Sequence, residues 1–168
     1  MRRILMVTLL AVVGTTGVYV STLLATPARG LTTPQILKAT FDEINLNDTT
    51  FPDTGWRTQL KTKGLTDLYV VNNVWQPGGT TGWHTHLGPS LIIVTAGEVT
   101  AYDGDDPTCT PHVYSAGMGF VDAGGGHVQV VRNEGAVTAS TTAVQFIPNG
   151  ATRRIDTPAP GNCPASVD

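Results

Sequence analysis

The sequence predicts an all-β fold, a small barrel in which two sheets pack against each other. Nineteen glycines and 11 prolines among 168 residues supply many turns, and only 14% of the residues are charged. Between these turns, short runs rich in β-branched and aromatic residues recur about every 8–12 residues, a spacing typical of sandwiches and barrels. No helix is predicted, and the length fits one modest domain.

The predicted strands follow from alternating or β-rich runs bounded by turn residues. Residues 29–40 have little periodicity and are interpreted as a spacer or as a lead-in to an edge strand. In chain order, the strands are predicted at 41–46, 56–62, 67–76, 90–95, 98–103, 117–122, 127–132 and 136–147, and a further strand begins at 112–115. The triple glycine 124–126 marks one of the clearest turns between them.

His84 and His86 lie at the centre of the chain's most distinctive segment. Side chains two positions apart on a strand point to the same face, which places the two imidazoles about 7 Å apart along the strand. Neutral imidazole is a common ligand for zinc, copper, iron and nickel. Histidines on a polar sheet surface share this spacing, so the spacing alone leaves both interpretations open.

With its flanking residues, this pair resembles the first motif of the cupin superfamily. That motif runs Gly, five residues, His-x-His, three or four residues, Glu, six residues, Gly, and Gly78, His84, His86, Ser90 and Gly97 fall at these spacings. Serine replaces the glutamate, and a neutral hydroxyl is a poor ligand for a divalent cation. The resemblance implies a double-stranded β-helix, the barrel that cupins share with jelly rolls.

The second cupin motif, Gly, five residues, Pro-x-Gly, two residues, His, three residues, Asn, is matched only around residues 124–127. Asp122 stands at its proline position, and His127 follows His86 by 41 residues, roughly where the family supplies a third imidazole. The resemblance therefore implies that His84, His86 and His127 hold a divalent transition metal. Its identity among Fe, Mn, Ni, Cu and Zn is left open.

Two polar residues are candidates for contact with a substrate. Ser90 occupies the glutamate position of the family, so the resemblance implies that it faces the metal pocket. Gln129 lies two residues after His127 and would face the same way on a strand, either to hydrogen-bond a substrate or to fill the barrel interior. His112 matches no ligand position and is expected to be a loop or rim residue.

The first 28 residues predict export. Arg2-Arg3 forms a short positive region, residues 4–24 are almost uninterrupted apolar sequence, and Thr26-Pro27-Ala28 suits a signal-peptidase site. Residues 4–24 could also span a bilayer of about 30 Å, so an uncleaved membrane anchor remains an alternative. Either outcome predicts a secreted or cell-envelope protein.

Cys109 and Cys163 lie in two separate proline-containing segments. In an exported protein a disulfide between them is the expected pairing, and it would contribute about 3–4 kcal/mol by restricting the unfolded chain. The alternative is that both thiols are metal ligands, which requires them to lie near His84.

The predicted organisation is a signal peptide or membrane anchor at 1–28, N-terminal strands and a lead-in at 29–65, a cupin barrel at 66–148, and a tail at 149–168 held mainly by Cys163. A formal charge of −3 without a basic stripe predicts no nucleic-acid partner. We expect a small-molecule ligand or substrate, and a homodimer is left open.

The resemblance implies one of two functions. The first is an exported metal-dependent enzyme, an oxygenase, an isomerase or a decarboxylase, with a small-molecule pocket. The second is a non-enzymatic module that binds or senses a small molecule with weak or no metal. Cupins host many functions, so the fold does not decide between them and catalysis is left open.

Overall fold

The structure is a computed structural model that describes residues 24–48 and 55–167. These residues contain β-strands and one short 3₁₀ turn, Ala165–Val167, so the predicted all-β fold class is confirmed. The strands are β1 (Arg29–Phe41), β2 (Asn45–Asp48), β3 (Thr58–Lys61), β4 (Thr66–Thr80), β5 (His84–Thr85), β6 (Ser90–Ala96), β7 (Glu98–Asp103), β8 (His112–Ser115), β9 (Gly119–Asp122), β10 (Gln129–Arg132), β11 (Ala139–Pro148) and β12 (Ile155–Asp156).

Ten of these strands form one antiparallel sheet that closes almost completely into a barrel. Its path runs β12-β5-β10-β4-β11-β6-β9, with β1 paired to β4, and with β7 paired to both β10 and β8. Strands β2 and β3 form a separate two-stranded hairpin. Near-complete closure brings residues that are far apart in sequence to one shared interior.

Strand β4 organises the barrel because it pairs with β1, β10 and β11. Its register with β11 runs without a break from Thr66 opposite Pro148 to Trp75 opposite Ala139. At its start, the fully buried Asp67 lies 2.7 Å from Lys38 of β1 and accepts a hydrogen bond from Asn149 at 2.9 Å. These contacts fix three segments around one carboxylate.

The N-terminal segment is a strand rather than a spacer. β1 pairs with β4 from Arg29 opposite Thr80 to Phe41 opposite Thr66, so the segment is itself an edge strand and neither the spacer nor the lead-in that the sequence suggested. Before it, Thr26 accepts a hydrogen bond from the Trp83 N–H at 2.6 Å. Cleavage after residue 28 would remove this contact.

Most of the predicted leader, residues 1–23, lies outside the described residues. In the part of the chain that the structure describes, no helix has the length and apolar character needed to cross a membrane.

Two groups of buried apolar side chains form the core. The first comprises Trp75, Val94, Val99, Ala101, Phe120, Val131 and Ala139. The second comprises Trp83, Tyr102, Cys109, Val130 and Val167. Trp75, Phe120 and Val131 of the first group also line the interior cavity, so that group gives the cavity its apolar wall.

The predicted disulfide is confirmed, because Cys109 and Cys163 are bonded across a sequence separation of 54. It packs within the second core group and joins the acidic loop after β7 to the C-terminal tail. The expectation that Cys163 is the main attachment of the tail is wrong. β12 of the tail pairs with β5, and Asn162 donates a hydrogen bond to the carbonyl of Asp103 at 3.0 Å.

Candidate metal centre

His84 and His86 point into the barrel, as their spacing predicts. Each is only 4% exposed, and their ring centroids lie 4.9 Å apart with the ring planes nearly perpendicular. Trp83, between the turn and His84, is fully buried in the second core group. Alternation along this short segment therefore sends the indole to the core and the imidazoles to the cavity.

Backbone carbonyls fix the proton position on both rings. Nδ1 of His84 lies 3.0 Å from the carbonyl of Gly82, and Nδ1 of His86 bonds to the carbonyl of Arg153. A carbonyl only accepts, so each neutral ring carries its proton on Nδ1 and keeps a lone pair on Nε2, which at His86 lies 3.3 Å from the amide nitrogen of Gln145. This arrangement is typical of metal-ligating histidines, whose other nitrogen is held by a second group.

Glycine is required at position 82 for this arrangement. Gly82 has φ +64°, and a Cβ there would collide with the backbone of Thr26. The N-terminal segment therefore packs directly on the turn that orients His84.

Asp122, at the end of β9, is the third member of the group. Its Oδ2 lies 3.6 Å from Nε2 of His86 and 4.0 Å from Nε2 of His84, and the three ligand atoms all lie within 4.8 Å of one another. These separations exceed hydrogen-bond length and leave a gap between three potential ligands. We call His84, His86 and Asp122 the barrel cluster.

The barrel cluster has the donor chemistry of a transition-metal site. Two imidazole nitrogens and a carboxylate oxygen suit zinc, iron, manganese, nickel or copper. Burial lowers the pKa of His84 to about 3, and burial also lowers the pKa of His86. Both rings are therefore neutral near pH 7, which is the form that binds a metal.

The carboxylate of the barrel cluster comes from a different strand than the glutamate of the cupin motif would. Ser90 is buried and faces the cavity from β6, at the position where the motif carries glutamate. Directly across the strand pair from Ser90 is Asp122 on β9, and on its other side Gln145 of β11 donates to the serine hydroxyl at 3.0 Å. A carboxylate on the neighbouring strand thus occupies the face that the missing glutamate would share.

His127 does not join the two other histidines, which corrects the predicted three-histidine site. Its Nε2 lies 3.3 Å from Asp105 and 3.7 Å from Asp103, on the acidic loop. His112 also faces this loop, with Nε2 4.0 Å from Asp103. We call His112, His127, Asp103 and Asp105 the loop cluster.

His127 lies outside the barrel interior because β10 begins later than predicted. The predicted strand starts at residue 127, whereas β10 starts at Gln129 and leaves His127 in the preceding turn. The glycine turn serves the barrel cluster instead, because the Gly124 N–H donates to Asp122 at 2.9 Å and the Gly125 N–H donates to the carbonyl of His86 at 2.7 Å.

Gln129 lines the cavity at the place that the third histidine was expected to take. It lies opposite His84 in the pairing of β10 with β5 and is 4% exposed. Its Nε2 donates to Asp103 at 3.2 Å, which leaves its buried Oε1 without a hydrogen-bond partner among the described residues. An acceptor of this kind is available to a bound molecule.

The cavity has a volume of about 170 Å³. Its apolar wall includes Val71, Ile92, Phe120 and Ala143, and its polar wall includes the barrel cluster, Ser90, Gln129 and Gln145. Apolar surface for a ligand's hydrocarbon part and polar groups that fix its orientation are both features of small-molecule sites.

The C-terminal tail completes the polar wall with Arg153 and Arg154. Sequence reasoning missed both residues, and it missed Asp122 as a ligand. Burial lowers the pKa of each guanidinium, although arginine stays protonated in proteins. The cavity therefore has a cationic side next to the barrel cluster.

No protein-family model and no curated protein matches the sequence. Several solved structures are similar in fold. One is an uncharacterised conserved protein with a double-stranded β-helix domain from Klebsiella pneumoniae, at 20% identity over 69% of this chain and 84% of that chain, with a TM-score of 0.46.

Two other similar structures are named as enzymes. A predicted oxalate decarboxylase from Thermotoga maritima is 19% identical over 51% of this chain and 83% of that chain, with a TM-score of 0.40. An oxalate oxidase is 22% identical over 52% of this chain and 45% of that chain, with a TM-score of 0.43. Similarity at this level assigns no activity to this chain.

Proposed function

We propose that this protein binds a divalent transition metal through His84, His86 and Asp122, next to a pocket for a small molecule. The observation that carries the proposal is the convergence of two Nε2 lone pairs and one carboxylate oxygen within 4.8 Å. A cation between these groups would be attracted by the carboxylate and by both lone pairs, and at His86 it would replace the 3.3 Å contact with the Gln145 amide nitrogen.

The number of ligands supports a role beyond structural metal binding. Structural zinc sites use four protein ligands, whereas sites with three keep a position open for water or substrate. A divalent ion held by two neutral rings and one carboxylate would retain positive charge and would act as a Lewis acid on a bound oxygen atom.

The chain's own residues would position the ligand. Gln145 donates to Ser90, and its amide nitrogen lies 3.3 Å from Nε2 of His86, so it borders the barrel cluster. Gln129 offers an acceptor on the His84 side. Apolar side chains of the same cavity would contact the hydrocarbon part of that molecule.

Metal-dependent oxygenation or isomerisation of a small organic molecule is the enzymatic form of this proposal. The alternative is a binding or sensing protein without catalysis. One observation supports this alternative. Among the described residues that line the cavity, no imidazole or carboxylate outside the barrel cluster is available as a separate proton-transfer group.

Elemental analysis of untagged protein tests metal binding. We expect one transition-metal ion per chain after growth in metal-replete medium, and loss of that ion in Asp122→Asn. Correctly folded protein without metal, and without affinity for added Zn²⁺ or Mn²⁺, would leave only the binding or sensing function.

We also propose that the protein is exported. The disulfide supports this location, because such bonds persist in oxidising compartments. Cell fractionation with an antibody against the barrel tests it, and recovery only from the cytoplasm would contradict it.

A further inference from the structure

The two arginines in the cavity wall differ in how their charges are met. Nη2 of Arg154 lies 2.6 Å from Asp156 and also donates to the carbonyl of Thr81. The guanidinium of Arg153, by contrast, has no carboxylate within 4.0 Å among the described residues, and its one hydrogen bond to them runs from Nη1 to Gln145 Oε1 at 2.8 Å. Arg154 is therefore compensated within the protein, and Arg153 is not.

An uncompensated guanidinium in this place is suited to an anion. Arginine has five N–H donors in a planar fork that matches the two oxygens of a carboxylate. Arg153 is half-buried and lines the cavity, so a bound anion would meet its charge away from bulk water. Partial burial makes such a charge pair stronger than one on the open surface.

Gln145 connects this guanidinium to the barrel cluster. Its Oε1 accepts from Arg153 at 2.8 Å, and its Nε2 lies 3.3 Å from Nε2 of His86. One amide group thus separates the cationic side of the cavity from the candidate metal ligands. A molecule of a few heavy atoms can touch both.

We propose that the cavity binds a small organic acid as its anion, with the carboxylate on the Arg153 fork and the rest of the molecule between the apolar wall and the barrel cluster. The carboxylate end of this ligand depends on Arg153 alone, and only its other end, which faces the barrel cluster, rests on the proposed function. The apolar wall at Val71, Ile92 and Ala143 favours a hydrocarbon body over a second charged group.

NMR-monitored titration with propionate, and with its neutral counterpart propionamide, tests the ligand class on the unmodified protein. Because charge-assisted bidentate hydrogen bonds are about twice as strong as neutral ones, we expect propionate to bind at least about tenfold more tightly. The preference should persist in metal-free protein, since Arg153 and not the metal supplies it. Equal affinities in metal-free protein, or tighter binding of inorganic phosphate than of propionate, would overturn the proposal.

Arg153→Gln and Arg154→Gln form a matched pair of variants. The first should abolish the preference for propionate, while its backbone carbonyl still holds His86. The second should keep the preference, because Asp156 already compensates the charge that it removes. Unchanged discrimination in folded Arg153→Gln, or equal loss in both variants, would place the anion elsewhere and overturn the proposal.

A separate titration with Zn²⁺ alone distinguishes this inference from the proposed function. Failure of Zn²⁺ to bind, with an Arg153-dependent preference for propionate, overturns the metal site and supports the anion site. Zn²⁺ binding without that preference overturns the anion site alone.

Discussion

The barrel cluster and the loop cluster contain the same kinds of side chain but differ in burial. His84, His86 and Asp122 are all nearly inaccessible to water. In the loop cluster, the side chain of His127 is 25% exposed and that of Asp105 is 77% exposed. Water solvates the loop carboxylates and screens their interactions, so the loop cluster needs no cation to be stable.

The two clusters also differ in how their imidazoles are oriented. Backbone carbonyls hold Nδ1 of both barrel histidines, whereas Nδ1 of His127 is buried without a hydrogen-bond partner among the described residues. A fixed tautomer presents its lone pair in one direction before any metal arrives. Burial and orientation, more than residue type, therefore distinguish a candidate metal site from a solvated group of charges.

The largest expected effect is a loss of Zn²⁺ affinity when a histidine of the barrel cluster, but not one of the loop cluster, is replaced. His86→Ala should lower Zn²⁺ affinity by more than about 100-fold, because changes to supporting groups alone cost 10–100-fold. His127→Ala should leave the affinity within about twofold, since distant sites couple by less than about 0.5 kcal/mol. Competition with a chromophoric chelator measures both. Comparable losses in the two variants would break the distinction between the clusters.

The carboxylate gives the next effect in size. Asp122→Asn keeps an acceptor for the Gly124 N–H but removes the anionic ligand, and we expect affinity for Zn²⁺ to fall at least about tenfold. Asp105→Asn is the matched control in the loop cluster and should change little.

A substitution at position 90 tests whether a second side chain on the same face reaches the candidate metal site. Because Ser90 lies opposite Asp122, Ser90→Glu should recover part of the affinity lost in Asp122→Asn by restoring a carboxylate on the same face. No recovery in a folded double variant would mean that a side chain at position 90 does not reach the candidate site.

Burial of the barrel histidines predicts a pH dependence that needs no metal. The pKa of His84 is about 3 in the folded protein against an ordinary value of 6.5. The unfolded chain therefore binds a proton between these values and the folded protein does not, so the stability is fully present above pH 6.5 and falls as the pH falls toward 3.

Urea unfolding of metal-free protein between pH 7 and pH 4 measures this loss. We expect His84 to contribute a slope of about 1 kcal/mol per pH unit within the window. The slope should be smaller by that amount in His84→Gln. Parallel curves for the two proteins would show that His84 is not held neutral by burial.

The disulfide should have the smallest effect on the barrel cluster. Replacing both cysteines by serine should lower the free energy of unfolding by about 2–4 kcal/mol. Zn²⁺ affinity should stay within about threefold, because β12 pairing and the Arg153 carbonyl still dock the tail on the histidines. A collapse of affinity in a folded variant would show that the disulfide itself maintains the cluster.

Local patterns in the sequence predict much of this structure. The His-x-His spacing places both imidazoles on one face, and the turns around the β-rich runs locate most strands. The pairing of Cys109 with Cys163 follows from their number and setting. Each of these inferences depends on neighbours in sequence or on a short list of alternatives.

The remaining site residues depend on long-range pairing. Asp122 becomes a candidate ligand because β9 lies beside β6, and Arg153 enters the cavity because the tail returns to β5. His127 was misplaced because a start of β10 two residues later moves it from the strand into the turn. A difference of two residues keeps the alternation of faces, so Gln129 still faces the interior, whereas His127 lies before the strand and faces the acidic loop.

A crystal structure of metal-loaded protein, with anomalous diffraction at the absorption edge of the bound metal, would locate the ion and its ligands. We expect one strong anomalous peak bonded to Nε2 of His84, Nε2 of His86 and a carboxylate oxygen of Asp122. A peak bonded to His127 and Asp105 instead, with none in the barrel, would contradict it.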